Sequence, residues 1–239
     1  MEPDRREEPR ETPRAGIPIG RAAFLGTVAA GALGVAALTA LGGDVSRAVS
    51  GAGSAIPGLD AIAPADGWRI YTVQEPMPTF DPATYALTVD GLVERPVRLS
   101  WSQVRDLPHV ERVADFHCVT GWSVEDVRWR GVEPQAIVDL VRPRADARHV
   151  TFHSLEQPYV DQLTLDQLLL PDVLLATGMD GRGLARAHGA PLRLVVPRMY
   201  GYKSVKWVGR IEFSAQAAPG YWEQRGYDAD AWVDGDAPA

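Results

Sequence analysis

The sequence predicts an α+β protein with a mostly β core, and three observations carry that expectation. Short apolar runs at period two recur between Gly, Pro and Asp-Gly turns, the helical signals among them are short and individually capped, and neither βαβ alternation nor an internal repeat is present. In chain order, YALTVDG sets Tyr85, Leu87 and Val89 on one face before an Asp90-Gly91 turn, which is a strand signal. Ser100 to Gln103 has capping-box form and starts a short helix that Pro108 stops. Pro134 suits the first turn of a helix running through Val141. HVTFHSL reads as a strand, and Thr164 to Gln167 is a second capping box whose helix Pro171 limits. VLLATGMDGRGLA predicts two short strands around an Asp180-Gly181 turn, and PLRLVVP and SVKWVGRIEF are strand-like again.

This globular domain spans residues 66–218, with different chemistry on either side of it. Residues 1–21 are rich in Pro, Arg and Glu, too polar to bury a core, and are expected to be disordered on the cytoplasmic side. Residues 22–41, AAFLGTVAAGALGVAALTAL, carry no charge; as a helix they span about 30 Å, the thickness of a bilayer's hydrocarbon region. Their Ala and Gly content suits either a permanent transmembrane anchor or a cleavable export signal. Five arginines precede the segment and only Arg47 follows closely, so the positive-inside rule leaves the N-terminus in the cytoplasm and exports the rest. GRAAFLG resembles a twin-arginine export signal with Arg21 present and alanine at the second arginine position. Residues 42–65 read as a Gly, Ala and Ser-rich linker, and 219–239 as an aromatic, acidic tail that either wraps the domain or stays loose.

Composition excludes several function classes. A formal charge of -7 argues against general nucleic-acid binding, which needs a broad basic surface. One cysteine, Cys118, rules out an internal disulfide and any cysteine-rich metal cluster. No GxSxG, P-loop, HExxH or GxGxxG at a strand-to-helix turn is present, and the five histidines show no helix-spaced metal pair. His117 does not suit Cys118 as a base in a strand, because adjacent side chains point to opposite faces. A lone cysteine is most often a small buried hydrophobe, so its role depends on its surroundings. The charge is also uneven. From Gly181 to Ile211 there is no acid, while Arg182, Arg186, Arg193, Arg198, Lys203, Lys206 and Arg210 fall inside, interleaved with core-forming residues. Such a cationic island suits a bound anion, and the chain's only two lysines, Lys203 and Lys206, lie within it.

Two long motifs, FHCVTGWSVEDVRWRGV and HGAPLRLVVPRMYGYKSVKWVGRIEF, together with DPATYALTVDGLVERPVRLS and the FHS strand, closely resemble the molybdopterin-binding domain of the sulfite oxidase family over roughly residues 68–214. The resemblance implies that fold and a Mo-molybdopterin cofactor, with Cys118 as the thiolate metal ligand and catalytic residue. A soft thiolate suits such a metal, and one suffices because the pterin supplies two more sulfurs. It further implies that His188, Arg193, Lys203, Ser204, Val205 and Lys206 hold the pterin phosphate, with Ser154 near the metal and pterin. The implied activity is oxygen-atom or electron transfer on a small-molecule substrate, outside the cytoplasmic membrane, with an external cytochrome or quinone-linked membrane subunit as redox partner. A methionine-sulfoxide type reductase and a cofactor-free binding module that kept the fold are the alternatives. One departure bears on substrate: the family's R-N-H triplet before P-x-P, whose arginine binds sulfite, is here Thr72, Val73 and Gln74. Arg182, Arg186 and Arg198 are the candidates to replace that charge.

Overall fold

The computed structural model describes residues 67–233; the predicted N-terminal hydrophobic helix at 22–41 lies outside them, as do the polar N-terminus and the linker. Among the described residues no helix is long and apolar enough to cross a membrane.

Two five-stranded sheets dominate. Along the chain the elements are β1 (Ala86–Gly91), β2 (Val97–Ser100), α1 (Trp101–Asp106), β3 (His109–Cys118), β4 (Trp122–Val132), α2 (Pro134–Val141), β5 (His149–Ser154), β6 (Val160–Thr164), α3 (Leu165–Leu168), β7 (Leu174–Met179), β8 (Arg182–Gly183), β9 (Arg193–Val195) and β10 (Val208–Ser214). The first sheet has the order β2-β1-β10-β5-β6, with β1 and β10 parallel and the other pairs antiparallel. The second runs β3-β4-β7-β8, with β9 also on β7.

The expected elements follow from local chemistry. Both capping boxes form, Ser100 with Gln103 and Thr164 with Gln167, each satisfying two backbone donors that a short helix leaves open. Asp180 and Gly181 both have positive φ, as a tight two-residue hairpin turn requires. Tyr85, Leu87 and Val89 are buried together with Val150, Phe152, Ile211 and Phe213, so the period-two pattern supplies one side of the larger core.

Two differences from the sequence reading have physical causes, and one open alternative is decided. The longest element, the β3–β4 hairpin, escapes the pattern because its register shifts between Ala114 and Phe116, and a bulge breaks period two. SVKWVGRIEF is strand only from Val208 onward, since Trp207 takes a positive φ of 51° that no strand tolerates. The tail packs as far as it is described: Tyr200 N–H donates to Ala231 O at 2.8 Å, Val233 N–H to Arg198 O at 2.9 Å, and Met199 bridges Trp232.

Candidate active site

The β3–β4 hairpin presents Cys118 at its tip. A three-residue turn follows, closed by Gly121 N–H on Cys118 O at 2.9 Å, and Gly121 has φ +85°, which favours glycine. The half-buried Sγ lies 3.2 Å from Thr120 Oγ1. Burial pushes the thiol above its ordinary range, while Thr120, Arg69 and Trp122 pull it down. A thiol that burial keeps protonated is a poor free nucleophile, whereas a metal cation deprotonates it outright. The neighbouring His117 ring bonds Ser123 Oγ at 2.8 Å instead.

Behind this tip lies an aromatic cluster centred on Trp68, whose ring meets Phe116 at 5.0 Å, Trp122 and Trp129 at 6.1 Å each, and the His188 ring at 4.8 Å. The first strands of the cationic island sit against it. Arg193, at the start of β9, is only 2% exposed; its guanidinium lies over Phe116 and Trp129 and donates through Nη1 to His188 O at 3.2 Å. Its buried Nε has no hydrogen-bond partner among the described residues. Lys206 donates through Nζ to Tyr71 O at 2.6 Å and lies over the Trp207 ring. Gly189 makes room for it, since a Cβ there would come within 2.8 Å of Lys206 Cβ. Burial lowers Lys206 to about 7, with Glu156 opposing the shift and Arg193 adding to it.

Of the two buried cations, Lys206 lies within electrostatic range of a carboxylate, that of Glu156. Its Oε1 also accepts the Thr72 hydroxyl and the N–H groups of Val73, at 2.9 Å, and Gln74, at 3.4 Å. The segment that replaces the R-N-H triplet is thus committed to Glu156. Beside Lys206, the buried Arg193 guanidinium offers an unbonded N–H. That donor set fits an anion such as a phosphate.

The other expected phosphate ligands use their side chains inside the protein. Ser154 Oγ donates to Lys206 O at 2.8 Å and accepts Glu156 N–H at 2.9 Å, so it brackets the pocket from behind. Ser204 Oγ accepts Val196 N–H at 3.0 Å, and Val205 is core. Lys203 departs most from its expected role. Its ammonium donates to Asp161 and Glu223 at 2.6 Å each and to Gln162 O at 2.7 Å, which occupies all three protons. Of the arginines proposed to replace the missing clamp, two are engaged elsewhere and the third points to no partner among the described residues. Arg186 donates to Met77 O and Pro78 O, Arg198 pairs with Asp172 at 2.8 Å, and Arg182 is exposed on β8. Sequence reasoning passed over Arg69, which lies within electrostatic range of Cys118. It also passed over Glu156, which sits in an undistinguished loop and is selected only by tertiary contacts.

A thiol offered at a turn, with buried cations packed among aromatic rings nearby, suits a protein that holds a metal-bearing cofactor with a phosphate, as the family resemblance implies. The chain belongs to the family described as the oxidoreductase molybdopterin binding domain, whose profile matches residues 74–222. It is a molybdopterin-dependent oxidoreductase with Mo-molybdopterin as its cofactor. The oxidoreductase YuiH of Bacillus subtilis is 39% identical over 154 residues, covering 64% of this chain and 77% of that protein. Catalytic subunits of the protein-methionine-sulfoxide reductase MsrP from Campylobacter jejuni and Gluconobacter oxydans are 33% and 35% identical; the matches cover 60% and 61% of this chain and 54% and 52% of those subunits. The chain therefore spans about half the length of the two reductase subunits. The sulfane dehydrogenase SoxCD of Paracoccus pantotrophus shares the fold, with a TM-score of 0.56 at 21% identity over 59% of this chain and 41% of that one.

The lowered Lys206 has a measurable consequence. An anion in the pocket favours the ammonium, so binding takes up a proton wherever Lys206 starts neutral, which is above about pH 7. Sulfate mimics a phosphate and keeps constant charge across this range. Its affinity for the cofactor-free protein is expected to be about tenfold higher at pH 6 than at pH 8. Calorimetric titration at both pH values checks this, and Lys206→Gln should remove the difference.

Proposed function

We propose that the protein is an extracytoplasmic reductase of sulfoxides or other S- or N-oxides, with electrons supplied by an external cytochrome or quinone-linked membrane subunit. Cys118 ligates the metal, while Arg193, Lys206 and the His188 turn hold the pterin phosphate. When bound, the cofactor supplies two-electron oxygen-atom exchange. The chain's own residues bind and orient it, exclude water through the Trp68 cluster, and hold the proton at Lys206 Nζ. The balanced reaction takes a sulfoxide, two electrons and two protons to a sulfide and water.

The commitment of the Thr72 hydroxyl and the Val73 and Gln74 N–H groups to Glu156 supports the choice of substrate, because it leaves that segment no charged donor for sulfite, only the neutral Gln74 side-chain amide. The two reductase relatives act on protein methionine sulfoxide by name, which supports the same direction. Loss of one charge-assisted bond to an anion costs about 1.5–3 kcal/mol, or roughly 10–150-fold in affinity. The Michaelis constant for sulfite with an artificial acceptor should therefore be well above that for dimethyl sulfoxide with a reduced dye. Saturation by sulfite at low micromolar concentration, with no response to sulfoxides, would restore sulfite as substrate. Export rests on the uncharged residues 22–41 and the arginines before them. A periplasmic reporter fused after Ala239 should be active and a cytoplasmic one silent; the reverse would place the domain in the cytoplasm.

A further inference from the structure

A groove of about 310 Å³ opens beside the Cys118 turn, within the size range of small-molecule sites. One wall is Val119, the residue after Cys118 and 43% exposed; the others are Tyr200, Tyr202, Tyr227 and Trp232. Tyr227 and Trp232 belong to the C-terminal segment that the family profile, ending at 222, does not cover.

This wall is built, not draped. Lys203 anchors the segment through Glu223, and Gly220 packs so closely on Asp161 that a Cβ would lie 2.9 Å from its carboxyl carbon. The Tyr202 hydroxyl donates to Asp228 O at 2.7 Å, and Tyr227 packs edge-on against Tyr202 at 5.4 Å and tilted against Trp222 at 5.1 Å. The floor is tied to the hairpin, because Gly201 N–H donates to His117 O at 2.7 Å and a Cβ on Gly201 would strike the Phe116 ring. Tyr227 lies within electrostatic range of Cys118. Asp228 and Asp230 form the rim, and none of the lining residues among those described is Lys or Arg.

We propose that this groove is the substrate subsite, that it takes a neutral molecule with an apolar or aromatic body next to its sulfur, and that Tyr227 is its specificity-determining residue. Aromatic rings contact sulfur and apolar groups favourably, and two rim carboxylates repel an oxyanion. The inference rests on the proposed S-oxide reduction for its reacting group, but the groove's preference for neutral ligands stands on its own lining.

The test titrates the molybdenum-loaded full chain with thioanisole, the neutral product of a sulfoxide substrate, and with benzenesulfinate, an anion of similar size. Thioanisole should bind the wild type at least about tenfold more tightly than benzenesulfinate. Tyr227→Ala should weaken thioanisole about tenfold and raise the Michaelis constant for methyl phenyl sulfoxide in parallel, with molybdenum content unchanged. Tyr227→Phe should retain binding within about threefold, because the ring makes the contact. Asp228→Asn with Asp230→Asn should narrow the discrimination against benzenesulfinate. Val119→Asp, at an exposed turn position, should weaken thioanisole as well, which covers the case in which Tyr227→Ala loosens the segment. Wild-type affinity for thioanisole in both Tyr227→Ala and Val119→Asp, or equal affinity for the two ligands in the wild type, would overturn the inference. Normal binding behaviour without sulfoxide turnover would instead overturn the proposed reaction and leave the groove standing.

Discussion

Cys118→Ser should abolish useful turnover while leaving the fold intact. Outer-shell changes at metal sites alone typically cost 10–100-fold, so loss of the proposed ligand is expected to reduce kcat by more than about 100-fold. A serine hydroxyl is a hard, weakly acidic donor where the metal takes a soft thiolate. The stability cost should stay within about 1 kcal/mol, because Cys118 is half-buried at a turn and its side-chain bond to Thr120 is one a hydroxyl can also make. Metal analysis, the metal's absorption spectrum and denaturant unfolding of the same preparation check the three parts together. Unchanged turnover with an unchanged metal spectrum would remove Cys118 from the metal.

Lys203→Met should do the reverse and damage stability. Asp161 and Lys203 are each 1% exposed and Glu223 is nearly buried, so the variant leaves two carboxylates buried without their cation. Breaking such a buried group by removing one partner typically costs about 3–5 kcal/mol. Burial already holds Asp161 up at about 6 despite Lys203 beside it. A carboxyl raised in the folded state contributes stability that is present below its unfolded value and lost as pH rises through its folded value. In wild type that loss falls between about pH 4 and pH 6. Without Lys203 the folded value moves higher still, so the window extends upward. The deficit should be larger at pH 8 than at pH 5, where protonation neutralises the orphaned acids. Urea unfolding of cofactor-free protein at both pH values measures it. A deficit seen only in cofactor-loaded protein would instead return Lys203 to phosphate binding.

Much of this protein is legible along the chain. Both capping boxes, the Pro134 helix, the Asp180-Gly181 hairpin and the buried faces of β1 and β5 depend on contacts within a few residues, and local patterns report them directly. The family was legible for the same reason. HCVTGW and HGAPLRLVV each keep a turn or strand together with its chemistry in one continuous stretch, so Cys118 and Arg193 could be picked out by position alone.

The lysines show where that reading stops. Lys203 and Lys206 are three residues apart in one motif, and nothing in GYKSVKW separates an anion ligand from a structural clamp. The tight turn between them, with Ser204 N–H on Gly201 O and Val205 N–H on Lys203 O, sends the two ammonium groups to different partners, Lys203 to Asp161 and Glu223 and Lys206 to Tyr71 O near Glu156. Charge pairing at a buried site is decided by residues 20 to 135 positions away. Local propensity carries no record of them. The sequence by itself therefore determined the family and with it the class of cofactor, and marked Cys118 and the cationic strand as candidates for its site. Only the tertiary structure decided which lysine is locked into a buried ion-pair cluster, that Glu156 takes the Thr72–Gln74 donors, and that the tail walls the groove beside the Cys118 turn, because each of these depends on which distant groups are desolvated together.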